Sequence, residues 1–188
     1  MIKEHILKNF YAFEIMVTAY AISHFKLRVF FKSKTHPLGK KDRFKLYLTN
    51  ALETKSDTSG LSGFFALTNE GRLANKVKAK TPIFVVMGNP PYKIGSTNQH
   101  SFIENLMKDY RPSDRKSREN LQPLSDDYIK FIRLAQWKIS QSKEGGIVAF
   151  ITNNNFLSGR IHRGMRKNLL ETFDEIYIHD LHGDAREE

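Results

Sequence analysis

Short apolar runs recur along this chain, and each is followed by a polar or glycine-containing segment. The clearest run ends at Met87, and every residue from Ile83 to Met87 is apolar. A run that is apolar on both faces is typical of a central strand in a parallel sheet that is covered by helices. The pattern predicts strands at 8–13, 44–48, 82–87, 147–151 and 176–181.

Apolar positions spaced three and four residues apart predict helices between these strands. The strongest stripe lies at 126–142 and ends before Gly145-Gly146, which favour a helix stop. Its amino end carries Asp126 and Asp127, where negative charge is favourable, and we interpret Trp137 within it as a core residue. Helices are predicted at 15–27, 61–73, 102–107, 126–142 and 160–172.

Strands that alternate with helices are typical of an α/β fold. The apolar strands predict a mostly parallel, doubly wound, Rossmann-like sheet with helices on both faces. The 188 residues show no internal repeat and no linker that demands two domains, so we interpret 1–188 as one domain. A nucleotide-type site normally opens with a strand and a Gly-rich turn, and nothing before Glu14 matches such a turn.

The composition restricts the binding partners and the cellular compartment that are expected for the chain. The formal net charge of +10 favours a polyanionic partner, although a merely soluble basic protein has the same balance. There is no cysteine, which excludes disulfides and thiolate metal sites and favours a cytoplasmic setting. No apolar stretch is long enough to cross a membrane and the amino end lacks a signal-peptide pattern, so no membrane partner is expected.

The most informative segment is Asn89-Pro90-Pro91-Tyr92, directly after the clearest strand. In open α/β sheets, ligands bind at the carboxyl ends of the strands. Asn89 offers a neutral acceptor oxygen, the prolines stiffen the turn, and Tyr92 offers a flat face for a planar base. Together these groups can hold an exocyclic amino group and polarise it toward an electrophile. The alternative is a proline-rich turn that only caps the strand, with Tyr92 as a packing residue.

At this motif the chain resembles a family of S-adenosylmethionine-dependent DNA methyltransferases that modify the exocyclic amine of adenine. It is most similar to the methyltransferase part of large single-polypeptide restriction–modification enzymes. Beyond the tetrapeptide, the resemblance is carried by Tyr11-Ala12-Phe13-Glu14 with 19–24, by 47–53, by 145–153 with Phe156-Leu157, and by 180–183 with Arg186. It implies S-adenosyl-L-methionine as the cofactor and N6 of a flipped adenine in double-stranded DNA as the methyl acceptor.

The resemblance also implies how the motif works and how much of the enzyme is present. The Asn89 side-chain oxygen and the Pro90 carbonyl would accept the two amino hydrogens, and Tyr92 would stack on the base beside the stiffening Pro91. The family's Gly-rich cofactor loop should lie upstream of Tyr11, and its target-recognition region should lie beyond Glu188. We therefore expect 1–188 to be a partial methyltransferase catalytic domain, with upstream and downstream segments of the same enzyme missing.

Two residues at other strand ends are candidates for cofactor binding. A carboxylate at the position of Glu14 can accept two hydrogen bonds from a ribose diol, and the resemblance favours this over a Glu that begins a helix. For Asn50 the resemblance suggests contact with the adenine ring of the cofactor. A helix N-cap is an equal alternative for Asn50, because asparagine caps helices well.

Substrate-binding candidates follow the strand at 147–151. Asn153 and its two neighbouring asparagines could contact the target nucleotide, although a plain loop is favoured, and Phe156 could form a wall of the base pocket. His162, Arg163, Arg166 and Lys167 could meet the DNA backbone, although a solvated helix face is the simpler interpretation. No metal site is expected, since His179 and Asp180 would point to opposite faces of a strand.

Three alternatives remain open from the sequence. The same tetrapeptide occurs in methyltransferases that act on a glutamine side chain of translation release factors, and in others that act on adenine in RNA. The segment from Gly145 onward and the basic charge favour DNA. From a different class, the chain could be a catalytically inactive α/β remnant that binds nucleic acid.

Overall fold

The structure is a computed structural model that describes residues 2–54, 69–92, 95–114 and 119–181. The chain divides into two compact units, Met1–Pro82 and Ile83–Glu188. In the described residues, each unit contains one two-stranded sheet. Helices and short parallel sheets thus make a mixed α/β structure, as the sequence predicts. No helix in the described ranges combines the length and the apolar character that a membrane crossing requires.

The first unit pairs two parallel strands. It contains α1 (Ile2–Asn9), β1 (Tyr11–Glu14), α2 (Val17–Ser33), β2 (Lys45–Leu48) and α3 (Asn69–Lys80). In the register, Tyr11 lies opposite Lys45 and Glu14 lies opposite Leu48. The Thr49 amide donates to the Glu14 carbonyl (2.8 Å), which continues the pairing past the strand ends. Glu14 and the turn after Leu48 therefore share one edge of the sheet.

Helices pack on both faces of this first sheet, because successive residues of a strand point to opposite sides. On one side Leu46 packs with Phe31 of α2 and with Phe44. On the other side Tyr47 packs with Ala74 and Val77 of α3. The predicted covering of both faces is found in this unit.

The second unit pairs its strands in the same way. It contains β3 (Val85–Gly88), α4 (Ser101–Met107), α5 (Asp127–Ser140), β4 (Ile147–Phe150), α6 (Asn155–Ser158) and α7 (Arg163–Thr172), with 3-10 turns at Lys108–Tyr110, Gln122–Ser125 and Arg160–His162. The strands run parallel, with Val85 opposite Ile147 and Gly88 opposite Phe150. The residues that follow Gly88 and Phe150 therefore leave the sheet at the same edge.

Helix α5 forms the core of the second unit. The residues of its predicted stripe are buried or half-buried: Tyr128, Phe131, Ile132, Ala135 and Ile139. Its polar residues are also engaged, since Gln136 accepts a hydrogen bond from the Tyr110 hydroxyl (2.8 Å) and donates to Asn168 of α7 (2.8 Å). Trp137 is half-buried and meets the ring of Phe102 edge-on, with 4.9 Å between the ring centres.

Most predicted elements are confirmed, with ends that shift by a few residues. These are the helices at 15–27, 102–107, 126–142 and 160–172 and the strands at 44–48, 82–87 and 147–151. The helix predicted at 61–73 lies mostly outside the described residues, and the described helix α3 begins at Asn69.

Two strand predictions need correction. The strand predicted at 8–13 is instead the end of α1 followed by the shorter β1, because Ile6 and Leu7 pack against the Phe31 cluster from a helix. The strand predicted at 176–181 is not formed, and Tyr177 is 88% exposed. No described strand pairs with this segment, so its backbone has no neighbouring strand with which to form sheet hydrogen bonds.

The predicted burial of the strand at 82–87 is also wrong. Val86 is half-buried, whereas Val85 and Met87 are exposed, Met87 at 75%. The neighbouring strand β4 alternates in the same way, with Ile147 exposed and Val148 half-buried. In the described residues this sheet is therefore covered on one face only.

Candidate functional site

Strand β3 leads directly into Asn89-Pro90-Pro91-Tyr92. Pro90 is buried, whereas Asn89 is exposed and Tyr92 is 47% exposed. The Tyr92 hydroxyl donates to the side-chain oxygen of Asn89. It also donates to the carbonyl of Ile151 (3.2 Å), just beyond β4. A buried proline thus anchors the turn, and the amide and the phenol meet on its open side.

The loop after the motif is tied to the start of α5. The Gly95 amide donates to the Asp126 carboxylate (3.2 Å). Burial raises the pKa of Asp126, and the hydrogen bond from Gly95 opposes that shift. From the sequence, Asp126 is expected only to favour the amino end of the helix. Its hydrogen bond with Gly95 connects two loops that are far apart in sequence, so the local sequence pattern does not predict this contact.

Asn153 organises the turn between β4 and α6. Its side-chain oxygen accepts a hydrogen bond from the Asn155 amide (2.8 Å), and its carbonyl accepts one from the Thr152 hydroxyl (2.8 Å). Local side-chain to backbone bonds of this kind are typical of an Asx turn. The geometry matches the plain loop that the sequence favours, and contact of Asn153 with a nucleotide stays a prediction.

Phe156 lies in α6, and its backbone is held by Arg166. One guanidinium nitrogen donates to the carbonyls of Phe156 (2.8 Å) and Gly159 (2.7 Å). The Phe156 ring is half-buried and lies 6.5 Å from the ring of Tyr128, centre to centre. The role of Arg166 differs from both sequence interpretations, a DNA contact and a solvated face, because its guanidinium is used within the unit.

Two other residues of the basic helix segment are also used internally. His162 is 3% exposed, and burial lowers the pKa of its imidazole. Arg163 forms ion pairs with Asp114 (2.8 Å) and Glu119 (2.8 Å). The buried position of His162 contradicts the suggested contact with a DNA backbone. Lys167 is exposed and pairs with Glu171 at 3.7 Å, as on a solvated helix face.

Tyr128 is a buried phenol next to the Phe156 ring. It is 2% exposed, and among the described residues its hydroxyl has no hydrogen-bond partner. Burial raises the pKa of Tyr128 to about 12, so the hydroxyl is protonated at neutral pH. The residue supports the Phe156 side of the site as an apolar ring.

In the first unit, Glu14 lies at the end of β1, as the sequence predicts. Its Oε1 accepts hydrogen bonds from the amides of Ile15 (2.8 Å) and Met16 (2.9 Å), just before α2. This oxygen therefore serves the helix start, which was the alternative interpretation. The carboxylate has a second oxygen, Oε2, so binding of a ribose hydroxyl stays a prediction.

Asn50 lies at the same sheet edge, in the turn after β2. Its side-chain oxygen accepts a hydrogen bond from the Leu52 amide (3.1 Å), and its side-chain nitrogen donates to Glu53 (2.8 Å). The residue caps a turn here, and its contact with adenine stays a prediction. Beside it, the buried Lys78 donates to the Asn50 carbonyl (2.6 Å).

Lys78 is not among the functional residues that the sequence predicts. A weak signal was present, because Lys78 follows Ala74 and Val77 on the face of α3 that packs against the sheet. Lysine at such a position must find acceptors, since a buried charge without partners is costly. In the described residues, including His179 and Asp180, no group of His, Asp or Glu side chains is arranged to hold a metal ion.

Comparison with known proteins decides the family. Residues 8–186 match the Eco57I restriction-modification methylase family. The chain belongs to this family. The assignment confirms the resemblance seen in the sequence, and it covers both compact units of this Eco57I-type methylase chain.

Solved structures with a similar fold are large restriction–modification proteins. One is described as the ATP-dependent Type ISP restriction-modification enzyme LlaBIII bound to DNA, with 27% identity and a TM-score of 0.68 over 90% of this chain and 12% of that one. The DrdV–DNA complex has 25% identity and a TM-score of 0.72 over 92% of this chain and 17% of that one.

A third structure shows the fold alone. It is a nuclease-deletion mutant of the Type ISP enzyme LlaGI in complex with a DNA substrate mimic, with 21% identity and a TM-score of 0.70 over 92% of this chain and 16% of that one. The Eco57I-type methylase chain thus spans between 12% and 17% of the length of these relatives. No curated protein sequence matches it.

Proposed function

We propose that this chain is catalytic-domain sequence of a restriction–modification DNA methyltransferase that transfers a methyl group from S-adenosylmethionine to N6 of adenine. The family assignment and the DNA complexes of two relatives support a DNA substrate. We further propose that both sheets belong to one doubly wound methyltransferase domain. The observation that carries the proposal is the contact between the Asn89 amide and the Tyr92 phenol at the open end of β3.

Chemically, the exocyclic amine of adenine is a poor nucleophile, because its lone pair is conjugated with the ring. It also lies inside the duplex, so the base must be flipped out, at a cost of a few kcal/mol. Stacking on the Tyr92 ring offsets part of that cost, at about 1–3 kcal/mol per base. The half-exposed position of this ring is compatible with such stacking.

The motif then polarises the amine. The Asn89 side-chain oxygen and the Pro90 carbonyl accept its two hydrogens, which favours a localised lone pair as charge develops. S-adenosylmethionine would supply an electrophilic methyl group on a sulfonium centre, and the S–CH3 bond would break with the neutral thioether as the leaving group. Asn89 is not a base in this scheme, and the released proton passes to solvent. Most of the remaining rate enhancement comes from the orientation of the amine.

Cofactor binding is proposed for the other unit. Glu14 and the Asn50 turn share one edge of the β1–β2 sheet, and they offer a carboxylate for ribose hydroxyls and an amide for adenine. This donor and acceptor set fits the adenosine half of S-adenosylmethionine. On the substrate side, we propose that Phe156 forms a wall of the base pocket and that Asn153 contacts the target strand.

The test is methyl transfer by an Asn89→Ala variant of the intact protein. Loss of the amide acceptor should reduce N6-methyladenine formation in duplex DNA by at least about 100-fold, the usual effect of removing one preorganised stabilising group. S-adenosylmethionine affinity, measured by calorimetry, should change little. A matched control is Asn9→Ala, which removes an exposed amide from α1.

Three acceptors separate this function from its rivals. Duplex DNA, total RNA and a translation release factor are incubated with labelled S-adenosylmethionine and the wild-type protein. Label in N6-methyladenine of DNA supports the proposal. Label in RNA or in a glutamine side chain would replace it, and wild-type turnover by Asn89→Ala would remove the role given to this amide.

A further inference from the structure

Lys78 of α3 is almost completely buried, with 7% of its surface exposed. Its ammonium donates to three oxygens: the Thr49 hydroxyl (2.8 Å), the Asn50 carbonyl (2.6 Å) and the Glu53 carbonyl (3.0 Å). All three acceptors belong to the turn that follows β2. A single side chain from α3 therefore holds the segment that carries Asn50.

The same ammonium also contacts the neighbouring strand. Its nitrogen lies 5.5 Å from the centre of the Phe13 ring, and Phe13 directly precedes Glu14. A cation over an aromatic face is attracted by the ring quadrupole. Lys78 thus touches both strand ends from which the proposed cofactor ligands project.

An ammonium group has three N–H donors, and the three oxygens named above match that number. Charge-assisted hydrogen bonds are about twice as strong as neutral ones, so they fix the turn more firmly than apolar packing would. A methionine at this position would cover similar apolar surface and hold none of the three oxygens. The bonding pattern therefore favours a positioning role over simple packing.

We propose that Lys78 is a positioning residue of the cofactor site, which fixes the turn at 49–53 so that Asn50 meets the adenine of S-adenosylmethionine. This inference rests on the proposed function, because it requires that the β1–β2 edge binds the cofactor. Lys78 contacts the protein rather than the cofactor in this arrangement. It acts on cofactor affinity through the turn.

The protonation state of Lys78 supplies a specific readout. Burial lowers its pKa from 10.5 to about 8, and the charged group that faces it, the Glu53 carboxylate, opposes this shift. Above about pH 8 the side chain therefore loses a donor and its charge, which weakens its hold on the turn. A lysine in the unfolded chain keeps its proton to about pH 10. Between about pH 8 and pH 10 the unfolded state therefore binds more protons than the folded state, and the contribution of Lys78 to the free energy of unfolding rises with pH. A loss of affinity in this window would not come from unfolding through this group.

The experiment uses calorimetry on the intact protein with two ligands, S-adenosylmethionine and 5′-methylthioadenosine. The second ligand keeps the adenine and ribose but lacks the amino-acid portion, so it has no group of its own that titrates near pH 8. Lys78→Met should raise Kd for both ligands by about tenfold or more, the scale of lost charge-assisted hydrogen bonds. Lys76→Met removes the same charge from an exposed position of α3 and should change Kd less than about twofold.

A pH series provides an independent readout without a substitution. Wild-type Kd for 5′-methylthioadenosine should rise severalfold between about pH 7 and pH 9.5, and Lys78→Met should lack this step. A wild-type Kd that stays constant up to about pH 10.5, where even an ordinary lysine is half deprotonated, would overturn the role of Lys78, even if Lys78→Met failed to fold. Duplex DNA affinity at fixed pH should be the same for both lysine variants.

The outcomes separate the two proposals. In one outcome, the wild-type protein, Lys76→Met and Lys78→Met all bind both ligands with the same Kd. Lys78 then has no positioning role, and the proposed function stands. If the wild-type protein binds neither ligand, the proposed cofactor and the role of Lys78 are both overturned.

Discussion

One hydrogen bond at the end of β3 bears on how the proposed catalytic amide begins its cycle. The Tyr92 hydroxyl donates to the same Asn89 oxygen that would accept the adenine amine. An amide oxygen can accept two hydrogen bonds, so in the proposed mechanism Asn89 has a free acceptor position for the amine while the phenol stays in place. The Tyr92 hydroxyl, which also donates to the Ile151 carbonyl, would then help to orient the Asn89 side chain.

Substitution of Tyr92 separates the ring from the hydroxyl. Tyr92→Phe keeps the stacking face, so kcat/KM for duplex DNA should stay within about threefold of wild type. Tyr92→Ala loses the face, and a stacking loss of about 1–3 kcal/mol corresponds to a fall of roughly 5- to 150-fold. Steady-state methylation assays measure both. Equal losses for the two variants would show that the ring does not stack on the base.

The sequence predicts the roles of some single residues and not of others. The motif at Asn89 could be placed at a strand end because the strand and the motif are adjacent in the chain. The role of Lys78 could not be predicted in this way. Its acceptors are carbonyls and a hydroxyl from another segment, and every residue type has a carbonyl, so no residue pattern identifies them. Arg166 was missed for the same reason, since its acceptors are also carbonyls.

Short elements in the second unit depend on longer ones for their position. Helix α6 is one turn long, and isolated helices of this length are not stable. The guanidinium of Arg166, from α7, bonds to the carbonyls of Phe156 and Gly159 at its two ends. The location of Phe156 is therefore set by α7 more than by the local sequence.

Removal of Arg166 should loosen this connection. Arg166→Met keeps much of the side-chain volume but leaves two carbonyls without their charged donor, so the free energy of unfolding should fall by about 2 kcal/mol. Urea denaturation measures the change. The control Lys167→Met alters an exposed residue of the same helix, and it should change the free energy by less than about 0.5 kcal/mol. Similar values for both variants would contradict the role of Arg166.

Gly146 sits where α5 and β3 approach the start of β4. A Cβ at this position would lie 2.8 Å from the Phe84 carbonyl oxygen and 2.9 Å from the Ile139 Cβ. Gly146→Ala should therefore destabilise the protein by about 1–3 kcal/mol through overpacking. Gly88→Ala is a suitable control for stability, because its Cβ would meet only the Phe150 ring at an ordinary 3.7 Å. Thermal melting measures the stability of the two variants. An unchanged melting temperature for Gly146→Ala would disprove the close approach.

Among the elements, helix α5 could be predicted because its apolar stripe follows the helical period over four turns and meets apolar partners in the fold. The segment at 176–181 has a strand-like composition but no described partner strand, and strand formation depends on pairing. The exposed face of β3 escaped prediction for a related reason. An apolar run shows what a strand can bury, whereas burial itself depends on elements from elsewhere in the fold.

The chain as a whole combines a charge of +10 with two compact units. If duplex DNA is the substrate, lysine and arginine side chains must replace counterions along the phosphates. The surface charge then contributes to affinity for any DNA sequence, whereas the contacts proposed for Asn89 would select the base that reacts.

This charge predicts a strong dependence of DNA binding on salt. Raising the salt from about 50 to 200 mM should weaken duplex binding by roughly tenfold or more, since each phosphate contact adds about 0.9 to the slope of log K against log salt. Fluorescence anisotropy with labelled duplex measures the affinity. S-adenosylmethionine binding, recorded in parallel, should change far less. A DNA affinity that is insensitive to salt would count against phosphate contacts.

The packing of Trp137 against Phe102 has a practical consequence for spectroscopy. Trp137 is the one tryptophan of the sequence, and it lies in the second unit. Intrinsic indole emission therefore reports the environment of α5 in the second unit. Selective excitation of the indole follows one half of the molecule through a melting curve, and far-ultraviolet dichroism follows both. The difference between the two curves gives the order in which the halves lose structure.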